Sequence, residues 1–234
     1  MGFLSFRPLP VEACLLCHDS AARNGLCNAC LKDLRVLATD PSKVCPRCSG
    51  IGHGTLCGQC QQTPPPFERL WASAEYAPPL SGILHQFKHK RDSSLVQPLA
   101  ELMAALPPPW LKEIKIDSVL AMPLSHERRL SRGFNQCDEL TALLARRFGW
   151  DVLPHTTVFR QASVPQSTLP LSKRRQNVRG LFRVANNVNK RNLLLIDDVV
   201  TSGTTLSELA RELQKTGNKR IFCWTLARAK MKNS

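Results

Sequence analysis

Two acidic residues and the hydroxyl-rich loop that follows them form the part of the sequence best suited to chemistry. Asp197 and Asp198 come directly after the apolar run 193–196. Two adjacent carboxylates can accept hydrogen bonds from a ribose diol and hold a Mg²⁺-bound water. The loop consists of Thr201, Ser202, Gly203, Thr204 and Thr205. A phosphate monoester can accept hydrogen bonds from these hydroxyls and from the N–H groups of a helix start, and Gly203 lets the backbone approach it closely. The segment therefore predicts a sugar-phosphate site rather than a simple helix cap.

A strand, a helix and a second strand are predicted to position these groups. The apolar run 193–196 has the length of a buried strand, and the run 221–226 forms a second one. Between them, apolar residues recur at helical spacing, and Gly217 is placed to end the helix. The apolar residues are Leu206, Leu209, Ala210 and Leu213. This βαβ pattern predicts an α/β fold with a parallel sheet, in which ligands bind beyond the carboxyl ends of the strands.

A further strand and helix are predicted upstream, with three arginines between them. Residues 117–124 form a strand pattern that ends in a turn at Pro123 and Leu124, and residues 136–148 form a helix closed by Gly149. The arginines between the two elements are Arg128, Arg129 and Arg132. They can neutralise a pyrophosphate bound at the turn, or they can form a solvated basic turn.

Four C-x-x-C pairs near the N-terminus indicate metal binding. The pairs comprise Cys14, Cys17, Cys27, Cys30, Cys45, Cys48, Cys57 and Cys60. Each pair places two thiolates on one turn, and two pairs complete a tetrahedral zinc shell. Sequential pairing closes short loops and predicts two structural zinc ions, but cross-braced ligation, or His18 or His53 in place of a cysteine, stays open. Disulfides are disfavoured because the N-terminus carries no export signal.

The chain is predicted to divide at a proline run. Residues 1–62 form a double zinc-ribbon module, residues 63–66 a proline-rich linker, and residues 67–234 the α/β domain. Because a proline run resists both helix and strand, the module is expected to be a semi-rigid appendage. The chain has no uninterrupted apolar stretch of about 18 residues, so we expect a cytoplasmic protein without a transmembrane segment.

The formal net charge of +14 favours a polyanionic partner such as nucleic acid or a phosphorylated ligand. The excess lies on the larger domain, since residues 67–234 hold 26 basic and 14 acidic side chains. Residues 152–196 contain eight basic residues and no acidic one, which favours phosphate contacts over a solvated surface. The candidate contacts with nucleic acid are Lys88, Lys90, Arg91, Arg128, Arg129, Lys173, Arg174 and Arg179.

The segment 193–205 resembles the 5-phosphoribosyl-1-pyrophosphate motif of type I phosphoribosyltransferases across all its positions. The resemblance implies a Rossmann-like domain that displaces pyrophosphate at the anomeric carbon of ribose with the help of Mg²⁺. It assigns Asp197 and Asp198 to the ribose hydroxyls and residues 201–205 to the 5′-phosphate. The implied contacts of the sugar pyrophosphate are Val199, Thr201, Ser202, Gly203, Thr204, Thr205, Pro123, Leu124 and Arg132.

Nearly the whole chain is similar to the ComF family. The similarity rests on the cysteine pairs and the ribose-phosphate motif, together with Tyr76, Phe87-Lys88, the run 132–136 and the segment 160–182. Family members are associated with natural competence, with handling of incoming single-stranded DNA, or with use of DNA as a nutrient. The segment 160–182 is similar to a mobile loop that closes over the pyrophosphate. By this resemblance Arg160, Gln166, Arg175 and Asn177 are site residues, and Arg160 and Arg175 are catalytic together with Asp197 and Asp198.

Three functions remain open on the sequence alone. The first is a DNA-uptake factor that binds the activated sugar and single-stranded DNA, with competence-machinery proteins as possible partners and an unknown acceptor for the phosphoribosyl group. The second is a nucleobase-salvage phosphoribosyltransferase, for which the short segment after Leu226 provides no hood over the base. The third is a non-catalytic sensor that keeps the sugar-phosphate site. Aromatic residues are only 6% of the chain, so contact with DNA is expected mainly through phosphates.

Overall fold

A five-stranded parallel sheet forms the centre of the protein. The structure, a computed structural model, describes residues 13–19, 25–89, 93–161, 180–185, 188, 192–217 and 220–230. Its strands are β1 Arg69–Glu75, β2 Ser118–Ala121, β3 Asp151–Val152, β4 Val158–Arg160, β5 Phe182–Val184, β6 Asn192–Val200 and β7 Arg220–Arg228. The central sheet has the order β1-β7-β6-β2-β3, and all its pairings are parallel. β4 and β5 pair separately in an antiparallel arrangement.

The α-helices connect and cover these strands. They are α1 Asn28–Leu34, α2 Gly58–Gln62, α3 Leu80–His89, α4 Val96–Ala105, α5 His126–Arg132, α6 Gln136–Phe148 and α7 Thr204–Lys215. The β6–α7–β7 unit confirms the βαβ prediction. As predicted, α6 ends at Gly149, which adopts the left-handed conformation. Among the described residues, no helix combines the length and the apolarity needed to cross a bilayer.

The segment between β2 and α6, for which the sequence left a pyrophosphate contact and a solvated basic turn both open, forms a short helix, α5. The Ser125 hydroxyl accepts a hydrogen bond from the Arg128 backbone N–H at 3.4 Å, which caps the start of the helix. Gly133 ends it with a φ of +82°, a conformation that costs a glycine little. The helix therefore places Arg128 and Arg129 directly after the turn at Pro123.

The sheet is covered on both faces, which explains the almost uninterrupted apolar run in β6. Leu194 and Ile196 belong to the core cluster shared with α3, α4 and α6, and Leu193 and Leu195 to the cluster shared with α7 and β5. Successive strand side chains point to opposite faces, so a strand buried on both sides needs apolar residues at every position. The polar residues at the end of β6 break this pattern and mark the site.

The cysteine-rich module packs against β1 and β7, which differs from the semi-rigid appendage expected from the proline run. The Leu70 N–H donates to the Arg47 carbonyl at 2.8 Å, and the Ser49 hydroxyl donates to the Leu70 carbonyl at 2.8 Å. Arg228, the last residue of β7, donates to the Cys48 carbonyl at 2.9 Å. The two bonds to Leu70 satisfy backbone groups on the outer edge of β1, which would otherwise be unpaired, and the Arg228 bond ties the module to β7.

Candidate functional site

The two carboxylates lie at the carboxyl end of β6, the middle strand of the sheet. Asp198 is 7% exposed, and Asp197 lies in register with Thr225 of β7. One oxygen of each carboxylate and the sulfur of Cys137 all lie within 4.8 Å of one another. The acid pair predicted from the sequence is therefore a compact cluster at the edge of the sheet where ligands bind in parallel α/β folds.

A lysine from α3 reaches this cluster. Lys88 Nζ lies 3.1 Å from Asp198 Oδ1, and the two side chains are 29% and 10% exposed. The end of α3 is held in place by Gln136, whose amide donates to the carbonyls of Phe87 and Lys88 at 3.3 and 3.5 Å. Lys88 thus faces the acid pair, whereas the sequence pattern grouped it with surface residues that contact nucleic acid.

Cys137 is the second unforeseen neighbour of the acid pair. Its sulfur lies 3.5 Å from Asp197 Oδ1, and the residue is 6% exposed. Asn135 sets its position, since the Asn135 side chain accepts from the Cys137 N–H at 3.2 Å and donates to the Met122 carbonyl at 3.1 Å. Burial and the charges of Asp197 and Asp198 hold the pKa of Cys137 well above its ordinary value, so it stays a neutral thiol.

Burial and charge repulsion together shift the protonation of Asp197. Burial, followed by the charge of Asp198, raises the pKa of Asp197 to about 7, although Lys88 acts in the opposite direction. For Lys88, burial lowers the pKa, but the charges of Asp198 and Asp197 outweigh it and leave the value raised. Lys88 is therefore an ammonium ion at neutral pH, and Asp197 is close to the midpoint of its titration.

The hydroxyl loop continues directly from β6 and opens α7. Thr201 and Ser202 are exposed, and Gly203 adopts a φ of +75° at the position that precedes the helix. Gly203 has no side chain to cap the first turn, whose N–H groups point towards the loop as they do at any helix start, and the Thr204 N–H donates to the Ser202 hydroxyl at 3.4 Å. The Ser202 and Thr204 hydroxyls lie 2.7 Å apart. The arrangement suits a monophosphate, which accepts hydrogen bonds from both hydroxyls and backbone N–H groups.

The turn after β2 lies beside the hairpin formed by β4 and β5. Arg160 Nη1 donates to the Pro123 carbonyl at 3.3 Å, and a parallel bridge joins Ser125 to Arg160. Burial, followed by the charge of Arg128, lowers the pKa of Arg160, while the charge of Asp197 raises it. Leu124 follows Pro123 at the wall of a cleft of about 460 Å³, which Phe159 and Arg160 also line. A cleft of this volume suits a small molecule or a single base.

The structure describes only some of the residues predicted to contact ligands. Arg128 and Arg129 lie on α5, and Arg129 forms an ion pair with Asp138 at 3.1 Å. Arg132 is the last residue of α5, but its side chain lies outside the described residues. The other residues outside the described ranges are Lys90, Arg91, Gln166, Lys173, Arg174, Arg175, Asn177 and Arg179. Their proposed roles therefore still rest on the sequence.

The eight cysteines form two sequential clusters. The clusters are Cys14, Cys17, Cys27 and Cys30, and Cys45, Cys48, Cys57 and Cys60. The sulfurs of Cys17 and Cys27 lie 3.7 Å apart, as do those of Cys48 and Cys57. A disulfide has a sulfur separation of about 2.05 Å, whereas a tetrahedron with Zn–S bonds of about 2.3 Å has edges of about 3.8 Å. The donor sets fit zinc in the sequential pattern, and neither cluster includes His18 or His53.

The structure thus combines a parallel α/β sheet with an acid pair and a hydroxyl-rich loop at its carboxyl edge. Residues 140–233 match the family described as phosphoribosyl transferase domain, and this range contains both the acid pair and the loop. The chain therefore contains a type I phosphoribosyltransferase domain, which includes residues 140–233, and two Cys₄ clusters compatible with zinc ribbons precede it.

Relatives of nearly full length carry names that concern DNA. The chain is 34% identical over 231 residues to the DNA utilization protein YhgH of Salmonella typhi, covering 92% of this chain and 96% of the relative. It is 35% identical over 224 residues to the protein of that name from Escherichia coli strain K12, with the same coverage. It is 30% identical over 242 residues to Competence protein F of Haemophilus influenzae, covering 98% and 100%. The chain belongs to the ComF family, as its motifs indicated.

Proposed function

We propose that the chain binds 5-phosphoribosyl-1-pyrophosphate with Mg²⁺ and transfers the phosphoribosyl group to an acceptor during the handling of single-stranded DNA. The observation that supports the ligand is the meeting of the acid pair with the hydroxyl loop at the carboxyl edge of the sheet. Asp197 and Asp198 would accept hydrogen bonds from the ribose hydroxyls, and residues 201–205 would donate to the 5′-phosphate. The two cysteine clusters would each hold one structural zinc ion.

The proposed reaction breaks the bond between the anomeric carbon and the pyrophosphate oxygen and forms a bond to the acceptor. The pyrophosphate leaves with the electrons of the broken bond, and bound Mg²⁺ would supply charge neutralisation to it. The turn at Pro123 and Leu124 and the start of α5 would hold the leaving group, with Arg160 beside them. Catalysis of this type depends on positioning and on charge stabilisation, so a strong general base is not required.

The names of the relatives and the charge of the chain support a role with DNA. The relatives are described as DNA utilization and competence proteins, and the net charge of this chain is +14. Phosphate contacts would supply most of the affinity for single-stranded DNA, because few aromatic side chains are present to stack on bases. A cytoplasmic location agrees with cysteines that bind zinc instead of forming disulfides.

Titration of the purified full chain tests the ligand. We expect the sugar pyrophosphate with Mg²⁺ to bind, and the variant with Asp197→Ala and Asp198→Ala to lose at least about a hundredfold in affinity, since each charged hydrogen bond contributes about 1.5–3 kcal/mol. Glu113→Gln is the control, because this exposed carboxylate forms an ion pair at 3.9 Å with Arg69, the first residue of β1, at the edge of the sheet opposite the loop. Equal affinity of the wild type and the double variant would refute the assignment.

A pyrophosphate-release assay across free bases, nucleotides and single-stranded DNA then tests the reaction. Release that depends on DNA would support the proposed role. Release with a single free base and no response to DNA would instead indicate nucleobase salvage. Binding of the sugar without any release would indicate a sensor, in which the site controls the protein without catalysing transfer.

A further inference from the structure

The ion pair between Lys88 and Asp198 occupies space that the proposed ligand needs. Asp198 Oδ1 lies 3.1 Å from Lys88 Nζ and also accepts the Val199 N–H at 2.6 Å. The ribose hydroxyls of a bound sugar must donate to this same carboxylate pair. Asp198 Oδ1 has two lone pairs, and Lys88 and the Val199 N–H already use them. A ribose hydroxyl that donates to this oxygen must therefore share the lone pair used by the lysine or displace the lysine.

The lysine also offsets the charge of the acid pair in the absence of a ligand. Two carboxylates within 4.8 Å of each other repel, and burial strengthens the repulsion. Arg160 is close enough to influence Asp197, but its guanidinium donates to the Pro123 carbonyl. Among the described side chains, Lys88 is the cation that forms a direct ion pair with Asp198.

Binding of the proposed ligand would change which negative group attracts Lys88 most strongly. The ligand brings hydroxyl donors and a divalent cation to the carboxylates, and it brings a highly charged anion to the same edge of the sheet. A lysine side chain is long and has a compact charge that can turn to a new partner, which an arginine with its planar fork does less readily. The backbone of α3 need not move, since Gln136 anchors the carbonyls of Phe87 and Lys88.

We propose that Lys88 is an exchangeable counterion of the sugar-phosphate site, which pairs with Asp198 in the free protein and transfers to the pyrophosphate of the ligand when the ligand binds. This inference rests on the proposed function. Lys88 is then a positioning residue for the acid pair before binding and a phosphate contact after it. It also prevents Mg²⁺ alone from occupying the carboxylates, so metal and sugar bind together.

The test compares Lys88→Met with Lys88→Arg and with the wild type, using three probes. For MgCl₂ alone, we expect Lys88→Met to bind Mg²⁺ roughly tenfold more tightly than the wild type, because the removal of one adjacent cation shifts such a site by about one pK unit or more. Lys88→Arg should stay close to the wild type. Equal Mg²⁺ affinity of all three proteins would refute the exchange.

The second and third probes are 5-phosphoribosyl-1-pyrophosphate and ribose 5-phosphate, each with Mg²⁺. We expect Lys88→Met to bind the first roughly tenfold more weakly and the second as tightly as the wild type or more tightly, because only the first carries a pyrophosphate to receive the lysine. Equal weakening of both ligands would overturn the inference and indicate a structural role. If the wild type binds neither sugar, the proposed function itself fails, and the transfer of Lys88 fails with it.

Lys215→Met is the matched control. It also removes one ammonium group from an ion pair, with Glu212, but this pair is on the surface at the far end of α7, and the Lys215 side chain is 63% exposed. We expect no change with any of the three probes. Thermal unfolding should show that Lys88→Met is folded, and Lys88→Gln, which keeps a hydrogen-bond donor without the charge, should reproduce its Mg²⁺ affinity.

Discussion

At the scale of single residues, the two carboxylates of the acid pair are the least favourable groups to bury in the site. Asp197 and Asp198 interrupt a strand that is otherwise apolar, and their neighbours include the neutral thiol of Cys137. A buried carboxylate is unfavourable unless it is protonated, paired or bound to a cation. The free protein meets this requirement for Asp198 with Lys88, and for Asp197 by raising its pKa.

The raised pKa of Asp197 predicts that sugar binding depends on pH near neutrality. The pKa is about 7 in the folded protein, against an ordinary value of 3.8, so Asp197 is protonated and neutral below pH 7. Only the ionised form attracts Mg²⁺ and accepts from both ribose hydroxyls. We expect the affinity for the sugar pyrophosphate to fall as the pH is lowered below 7, approaching about tenfold per pH unit.

Calorimetric titrations between pH 5.5 and 8.5 measure this dependence. The raised pKa of Asp197 also makes the free protein less stable as the pH rises from about 4 to about 7, because Asp197 binds its proton more tightly in the folded state than in the unfolded state. Asp197→Asn should remove this part of the stability profile and also abolish tight sugar binding. A flat affinity profile across pH 7 would contradict the predicted titration.

The motif residues were predictable from sequence, whereas their neighbours were not. Asp197, Asp198 and residues 201–205 lie within nine consecutive positions, so their types and spacing indicate the candidate site without knowledge of the fold. Lys88 lies 110 positions before Asp198, and Cys137 lies 60 before Asp197. Contacts over such separations depend on how α3 and α6 pack on the sheet, and local sequence carries no signal for that packing.

At the scale of secondary structure, α7 supports both the phosphate loop and the hairpin of β4 and β5. Glu208 of α7 is 4% exposed, accepts the Gly180 N–H at 2.9 Å and forms an ion pair with Arg211. Phe182, at the start of β5, is packed in the same core cluster as Leu209. One helix thus fixes the end of the hydroxyl loop and the return strand of the hairpin.

Loss of the Glu208 carboxylate should therefore affect both stability and ligand binding. We expect Glu208→Ala to lower the free energy of unfolding by about 1–2 kcal/mol, because the Gly180 N–H and the Arg211 guanidinium lose their acceptor. Glu208→Gln, which keeps an acceptor oxygen, should lose less. Urea unfolding measures the first effect and sugar titration the second. Glu212→Ala, which removes a partner only from Lys215, is the control and should be close to neutral.

The elements predicted from periodicity were those with long, regular patterns. β6, α7, β7 and α6 were predicted because each combines an apolar period with a clear end signal such as Gly149. β1, α3 and α4 and the short strands β3, β4 and β5 were not predicted. β3 has two residues, and β4 and β5 have three each, which is too short for a period to be detectable.

At the scale of the whole molecule, the basic charge governs the proposed contact with DNA. Affinity for single strands should fall with salt by about 0.7 logarithmic units per tenfold change in salt for each phosphate contacted, so about four contacts lose roughly 50-fold between about 50 and 200 mM salt. Fluorescence anisotropy with an oligothymidine measures the slope. Arg183 lies at an exposed position of β5, and if it contacts a DNA phosphate, Arg183→Ala should reduce the slope by about 0.7. Affinity independent of salt would contradict a phosphate-based interface.

The cysteine-rich module shares a hydrophobic core with the sheet. Cys14, Cys27 and Cys30 lie in one core cluster with Trp71 and Leu99, although the proline run between module and domain indicated a separate body. The second cluster is attached through Arg228, whose backbone pairs with Val200 directly before the phosphate loop. The sequence does not predict this packing, because the composition of a linker indicates its local backbone conformation and not which surfaces of the module and the domain come into contact.

Removal of zinc should therefore lower the stability of the entire chain and not of the module alone. We expect one calorimetric unfolding transition in the zinc-loaded protein, since the module and the domain share a core and edge-strand hydrogen bonds. A strong chelator should shift that transition to lower temperature and weaken sugar binding as well, because the release of Cys48 frees Arg228 at the strand next to β6. Arg228→Met should reproduce the loss of sugar affinity without loss of zinc, which a colorimetric zinc assay verifies. Two separate transitions, with sugar affinity unchanged by the chelator, would show that the module is an independent appendage after all.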